Sequence, residues 1–171
     1  MSSTWIRARS SPACRIETTS REIAAWTQPL IASASRGLFA FIAREIDGVL
    51  HLLVQAKPEA GLCHGVELAP TVMCLPDQYA DAPPERRPPF LDLVRLAAPE
   101  QVRYDAGQSE EGGRFFREEN RNVVVEVGTD FPLDVPERFA WMTVRQLKAF
   151  IRHSHQVNVQ ARCLLAAMGA W

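Results

Sequence analysis

Four polar side chains stand close together in an otherwise apolar stretch: Gln55, Lys57, Glu59 and Glu67. Gln55 and Lys57 are two residues apart, so on a strand they project from one face and can enter one cleft. Lys57 is a compact cation suited to a phosphate or an oxyanion. Glu59 follows in a turn and Glu67 lies on the next expected strand, where a carboxylate can take a proton. The plainer alternative is a Lys–Glu pair at a strand end, which is common and contributes little. A second group is Ser109-Glu110-Glu111-Gly112-Gly113-Arg114. Its glycines let backbone approach a ligand and Arg114 can fork onto phosphate or carboxylate; a hairpin turn with a solvated charge run is the plainer reading. Asn158 reads first as a helix N-cap, with Arg162 one turn later on the same side. Trp26 and Trp141 read more readily as core than as ligand stackers. His51 and His64 have proton-shuttle chemistry but, as single histidines, are more often structural or exposed; His153 and His155 read as a solvated helix end.

Composition narrows the classes. The chain has 171 residues, a net charge of −1, 47% hydrophobic and 23% charged residues, the profile of one globular domain. That charge balance gives no reason to expect nucleic acid or a membrane surface as a partner. No apolar run approaches the ~18 residues of a membrane span, and the first residues have no signal core, so a cytoplasmic protein is expected. There is no G-x-G-x-x-G after a strand, no phosphate-binding P-loop, no H-E-x-x-H and no G-x-S-x-G. Cys14, Cys63, Cys74 and Cys163 lack C-x-x-C or zinc spacing; they are expected to be reduced and mostly buried, with no metal bound. Cys63 and His64 are adjacent, and adjacent residues rarely ligate one metal well.

The elements that must carry these groups can be read in outline. Residues 1–17 are polar and aperiodic, a loose arm or the remnant of a preceding element, and 18–171 are expected to be one domain. Thr19-Ser20-Arg21-Glu22 offers a capping box for a short helix ending before Pro29. Leu38–Ala43 reads as a strand, Asp47-Gly48 as a hairpin turn, and Val49–Lys57 as a second strand. On that strand Leu50, Leu52, Val54 and Ala56 form one face and His51, Leu53, Gln55 and Lys57 the other. Gly65–Ala69 is a third candidate strand. Ala82–Phe90 is a proline-rich exposed loop, and Leu91–Leu96 is a strand or a short helix. Gln108–Arg114 reads as a loop and Asn122–Val127 as a β-branched strand. Thr143 and Asn158 cap two C-terminal helices, with Val144, Leu147 and Ile151 sharing a face of the first. Hairpin-linked strands followed by helices predict an α+β domain with a mixed or antiparallel sheet.

In combination these segments resemble a known family. Trp26-Thr27-Gln28-Pro29-Leu30, Gly48-Val49-Leu50-His51-Leu52-Leu53-Val54-Gln55-Ala56-Lys57, and Glu59 with Gly61 resemble motifs of the NDP-hexose 2,3-dehydratases. So do Glu67-Leu68-Ala69-Pro70-Thr71-Val72, Ser109 to Phe115, Asn120-Arg121-Asn122, Trp141-Met142-Thr143 and Val157 to Arg162, in order across residues 21–168. The resemblance implies a Nudix-like α+β fold, a TDP-4-keto-6-deoxyhexose substrate in deoxysugar biosynthesis for natural products, and loss of water across C2 and C3 without a cofactor. No Nudix catalytic box is present, so pyrophosphate hydrolysis is not expected. As a group, Gln55, Lys57, Glu59, Glu67, Arg114, Asn122, Asn158 and Arg162 are implied to line or shape the ligand site, with Trp26 as a further substrate contact. Glu67 is the first choice for base, Lys57 for oxyanion or phosphate stabilisation, Glu59 a further catalytic candidate, and Arg114 and Arg162 the choices for the diphosphate. The chain departs from the family pattern in carrying one copy of a usually tandem repeat, in lacking an S-G-x-F-F segment before Trp26, and in having Met73 where Gln follows P-T-V. A homodimer imitating the tandem repeat is expected; a non-catalytic or repurposed ligand-binding or partner domain, acting on another small carbonyl compound, is the alternative.

Overall fold

The computed structural model describes residues 9–168. They divide into two compact units, one made of residues up to 36 with 107–120, the other of 37–106 with 121 onward. The smaller unit contains β1 (Arg9–Ser10), β2 (Ala13–Glu17), β3 (Ala25–Pro29) and β4 (Ala32–Ser33). β1 pairs antiparallel with β4, and β2 with β3. Two expectations change here. Residues 13–17, expected in an aperiodic arm, form a strand, and the helix expected from Thr19 is the connection and second strand of a hairpin. Both strands alternate half-buried and exposed residues, placing Ile16 opposite Trp26 and Cys14 opposite Gln28. Five residues with period two, ending at a proline that biases its predecessor to extended backbone, outweigh one capping signal. The Thr18 N–H closes the connection on Ala24 O at 2.9 Å.

The larger unit begins with β5 (Leu38–Ile46) and β6 (Val49–Pro58), joined by the expected Asp47-Gly48 turn, where φ is 51° and 76°. Both values lie in the left-handed region, the geometry of a two-residue turn that matches strand twist. β7 (Val66–Pro70) and β8 (Val72–Cys74) follow, then α1 (Leu91–Arg95), which resolves the strand-or-helix alternative in favour of a helix. β9 (Val102–Ser109), β10 (Glu119–Glu126), β11 (Phe139–Thr143), α2 (Val144–Ile151) and α3 (Val159–Ala167) complete the order. The seven-stranded sheet runs β11-β6-β5-β10-β9, with β7 on β6 and β8 on β5. It is mixed, because β10 lies parallel to β5.

β5 and β6 pair only from Ile42–Ile46 to Val49–Leu53. Beyond that they fork, and the Val66–Cys74 segment fills the gap, first as β7 on residues 54–58 of β6 and then as β8 on residues 38–40 of β5. Thr71 stands at the crotch. Its hydroxyl accepts from Ile42 N–H at 2.9 Å and donates to Leu53 O, closing backbone groups that the fork would leave open.

The alternation expected for β6 is what the sheet uses. Leu53 joins Leu38, Ala40, Ile42, Val123 and Val125 on one face, under Leu91 and Val94 of α1. Leu52 and Val54 join Phe39, Phe41, Ala43 and Val124 on the other, under Leu147 of α2 and Leu164 of α3. Of the face expected for α2, only Leu147 is fully buried; Ile151 is 37% exposed. The proline-rich segment is less bare than expected. Arg87 donates to both Asp92 carboxylate oxygens, at 3.0 and 2.8 Å, and Phe90 meets Phe139 edge to face at 5.0 Å.

Candidate active site

β6 and β7 present the catalytic candidates on one sheet face. Lys57 is directly opposite Glu67 in the antiparallel register, and Gln55 is opposite Ala69. Directly opposed residues share a face, with Cβ atoms about 5 Å apart. Lys57 Nζ donates to Glu59 Oε1 at 2.7 Å, and the two side chains retain only 16% and 32% of their exposure. The amine is therefore partly desolvated and held by the turn carboxylate of Glu59, with Glu67 opposite it in the strand register, a setting in which charge acts more strongly than in water. Gln55 braces the fork, because its amide donates to Pro70 O at 2.8 Å and to Thr71 O at 3.3 Å.

The same face holds a group that sequence reading passed over. Burial pushes the Cys74 thiol up to about 11, against the opposing pull of Lys57 and Arg95. That opposing pull places both cations within electrostatic reach of β8, and Arg95 follows buried Val94 at the end of α1. Tyr79 is also raised, first by burial and then by Cys74. No motif flags Arg95 or Tyr79; only the packing of α1 and the 76–79 turn on this face brings them near.

The remaining candidates lie elsewhere. Asn122 is buried and, through its pairing with Phe39, belongs to the opposite sheet face. Asn158 lies there too. Its Oδ1 caps α3 by accepting from Ala161 N at 2.9 Å, as expected, and its Nδ2 points at Met73 Sδ at 3.4 Å. Arg162 is exposed on α3. Trp26 and Arg114 belong to the smaller unit, where the W-x-Q sequence shows its use. The Trp26 indole N–H donates to Gln28 Oε1 at 2.5 Å, and Gln28 Nε2 donates to Gly113 O at 2.5 Å, which ties the ring to the glycine loop next to exposed Arg114. A cleft of about 660 Å³ beside Trp26 is lined by Ser20, Arg21, Glu22 and Ile23, with Arg21 Cζ 5.8 Å from the indole centroid. The nine candidates thus separate into a β6–β7 group, a group on the other face with α3, and a pair in the smaller unit. Among the cysteines, all four unpaired, only Cys74 is buried while Cys63 and Cys163 are exposed, which corrects the expectation of mostly buried thiols. No three His, Cys, Asp or Glu side chains among the described residues are grouped to hold a metal, and no helix among them is long and apolar enough to cross a membrane.

A mixed sheet with a forked central hairpin and helices on both faces defines the class as Nudix-like α+β. The solved structure of an ADP compounds hydrolase covers 96% of this chain and 86% of its own at a TM-score of 0.51 and 11% identity, a likeness of fold alone. The sequence profile of NDP-hexose 2,3-dehydratase matches residues 12–168. The chain belongs to the NDP-hexose 2,3-dehydratase family. It is 52% identical over 153 residues to a dTDP-4-dehydro-6-deoxy-alpha-D-glucopyranose 2,3-dehydratase of Streptomyces violaceoruber, covering 90% of this chain and 34% of that one. A protein of the same description from Amycolatopsis orientalis is 49% identical, over 92% of this chain and 33% of its own. The chain therefore spans about a third of the length of the curated relatives it matches.

Proposed function

We propose that this chain supplies one repeat of a hydro-lyase that removes water across C2 and C3 of a TDP-4-keto-6-deoxyhexose. The observation that carries the reading is the Lys57–Glu67 register pair, two opposite charges on adjacent strands with Glu59 2.7 Å from the amine. In such an elimination the 4-keto group acidifies C3–H. Glu67 takes that proton, and Lys57 holds the C4 oxygen as negative charge develops on it. The C2–O bond breaks as the C2=C3 bond forms, and the departing hydroxide takes a proton and leaves as water. Glu59 positions the ammonium. The chain acts in a cytoplasmic homodimer whose two copies stand in for a tandem repeat.

Met73 favours a second reading. Where the family pattern has a Gln, this chain has a thioether whose sulfur engages Asn158. A weak acceptor cannot reproduce the donor and acceptor of an amide, so this face is altered for polar ligands. In this reading the chain is a ligand-binding or partner domain without turnover of its own, or one repurposed for another small carbonyl compound. Incubation with TDP-4-keto-6-deoxyglucose, followed by mass spectrometry, separates the two. Loss of one water at a rate proportional to protein supports the lyase. Folded protein that binds the nucleotide-sugar and leaves it intact supports the second reading.

A further inference from the structure

His64 and His155 are 91 positions apart in sequence, yet their rings meet edge to face with centroids 5.5 Å apart. Both side chains are exposed, and both sit on backbone that is tied down. His64 belongs to the β6–β7 turn, which closes on itself through Leu62 N–H to Glu59 O at 3.4 Å and Gly65 N–H to Leu62 O at 3.2 Å. His155 belongs to the α2–α3 connection, in left-handed backbone with φ of 64°. The next residues bind that connection to β7: Leu68 N–H donates to Gln156 O at 2.8 Å and Asn158 N–H to Leu68 O at 2.9 Å. Two imidazoles are therefore presented side by side by two segments already docked together.

We infer that His64 and His155 form a two-point site for a late first-row divalent metal ion, of the Cu(II), Ni(II) and Zn(II) class, with water completing the coordination. Imidazole nitrogens bind such ions at about 2.0–2.1 Å, which places two ring centroids on one ion roughly 5 Å apart at a tetrahedral angle. The observed centroid spacing of 5.5 Å is close to that value, and the two solvent-facing rings must turn out of their edge-to-face contact so that a nitrogen of each faces the ion. Imidazole favours these ions over magnesium and calcium, which take oxygen ligands. Two ligands held by docked backbone lose little freedom on binding, the general source of chelate affinity. A bound ion would link the turn that carries Glu59 to the segment that leads into Asn158, and the inference is independent of the proposed lyase activity.

Titration calorimetry of the whole chain with nickel chloride, and with copper and magnesium salts, tests it. The expected result is one ion per chain, tighter for Cu(II) than for Ni(II), with no binding of Mg(II). His64→Ala and His155→Ala should each weaken binding about tenfold or more, whereas Cys63→Ser and His153→Ala should leave it near the parent value. Nickel at a hundredfold excess over its parent Kd should raise Tm by about 5–10 °C in the parent chain, in Cys63→Ser and in His153→Ala, and by about half that or less in His64→Ala and His155→Ala. Absence of binding, binding unchanged in both histidine variants, or loss in Cys63→Ser or His153→Ala with His64→Ala intact would each overturn the site. Because both histidines are exposed, the variants are expected to fold, and matching near-ultraviolet circular dichroism checks that they do.

Discussion

Thr71 answers for two backbone groups with one hydroxyl, accepting from Ile42 and donating to Leu53 at the fork. Valine fits the space but leaves a buried N–H and C=O unpaired, so Thr71→Val should cost about 2–4 kcal/mol, read from the urea midpoint. Lys57 and Glu67 are the residues proposed for the chemistry. Glu67→Gln should lower kcat by about 10²–10⁴ and Lys57→Ala by about 10²–10³, with Tm little changed because both groups are partly exposed. A loss of Tm that accounts for the lost turnover would remove them from the reaction. Cys74 carries a pH signature. Its thiol is raised from the usual 9.0 to about 11, so between those values the unfolded chain releases a proton that the folded chain retains. Its stability contribution is intact below pH 9 and is lost as pH rises toward 11. Cys74→Ala should flatten this alkaline limb of the unfolding midpoint, and at neutral pH alkylating reagents should reach Cys63 and Cys163 well before Cys74.

At the scale of elements, legibility followed how strongly each element depends on its own residues. β5, the Asp47-Gly48 turn, β6 and the Asn158 cap were readable because turn backbone, side-chain alternation and capping are local properties. The turn and the cap make matched predictions. Gly48→Ala puts a Cβ at φ of 76° and Asn158→Ala removes the cap, and each should lower stability by about 1 kcal/mol by thermal unfolding. β9 was not readable. Its alternate residues Arg103 and Asp105 face outward and pair with Glu126 and Arg121 of β10, while pairing with β10 and the packing of Val102 and Tyr104 on the core, which hold the strand, exist only once the sheet has formed. β2 and β3 were missed because each is five residues long and gains its period from the other. The candidate site was legible to the same degree: Gln55 and Lys57 share a face as alternation requires, whereas the registration of Glu67, the approach of Arg95 and the displacement of Asn122 and Asn158 to the other face are tertiary facts.

For the molecule as a whole, the length covered sets the main question, since relatives of this family extend to about three times the matched portion. If two copies replace a tandem repeat, sedimentation should give twice the chain mass of 19.1 kDa, and a variant held monomeric should lose turnover; a monomer with full activity would contradict that arrangement. The fork carries a consequence for the order of events in folding. The β5–β6 hairpin joins neighbours across a two-residue turn, whereas the 66–74 segment must be threaded into an already diverging pair, and β10 must arrive from 83 positions away to lie against Leu38. The amide of Ile42 has a side-chain hydroxyl, not a neighbouring strand, as its acceptor. In pulsed hydrogen exchange during refolding, the amides of Arg44 and Ile46 should therefore become protected first, and Ile42, two residues further along the same strand, should keep exchanging until the wedge is seated, so that one proton times the closure of the sheet.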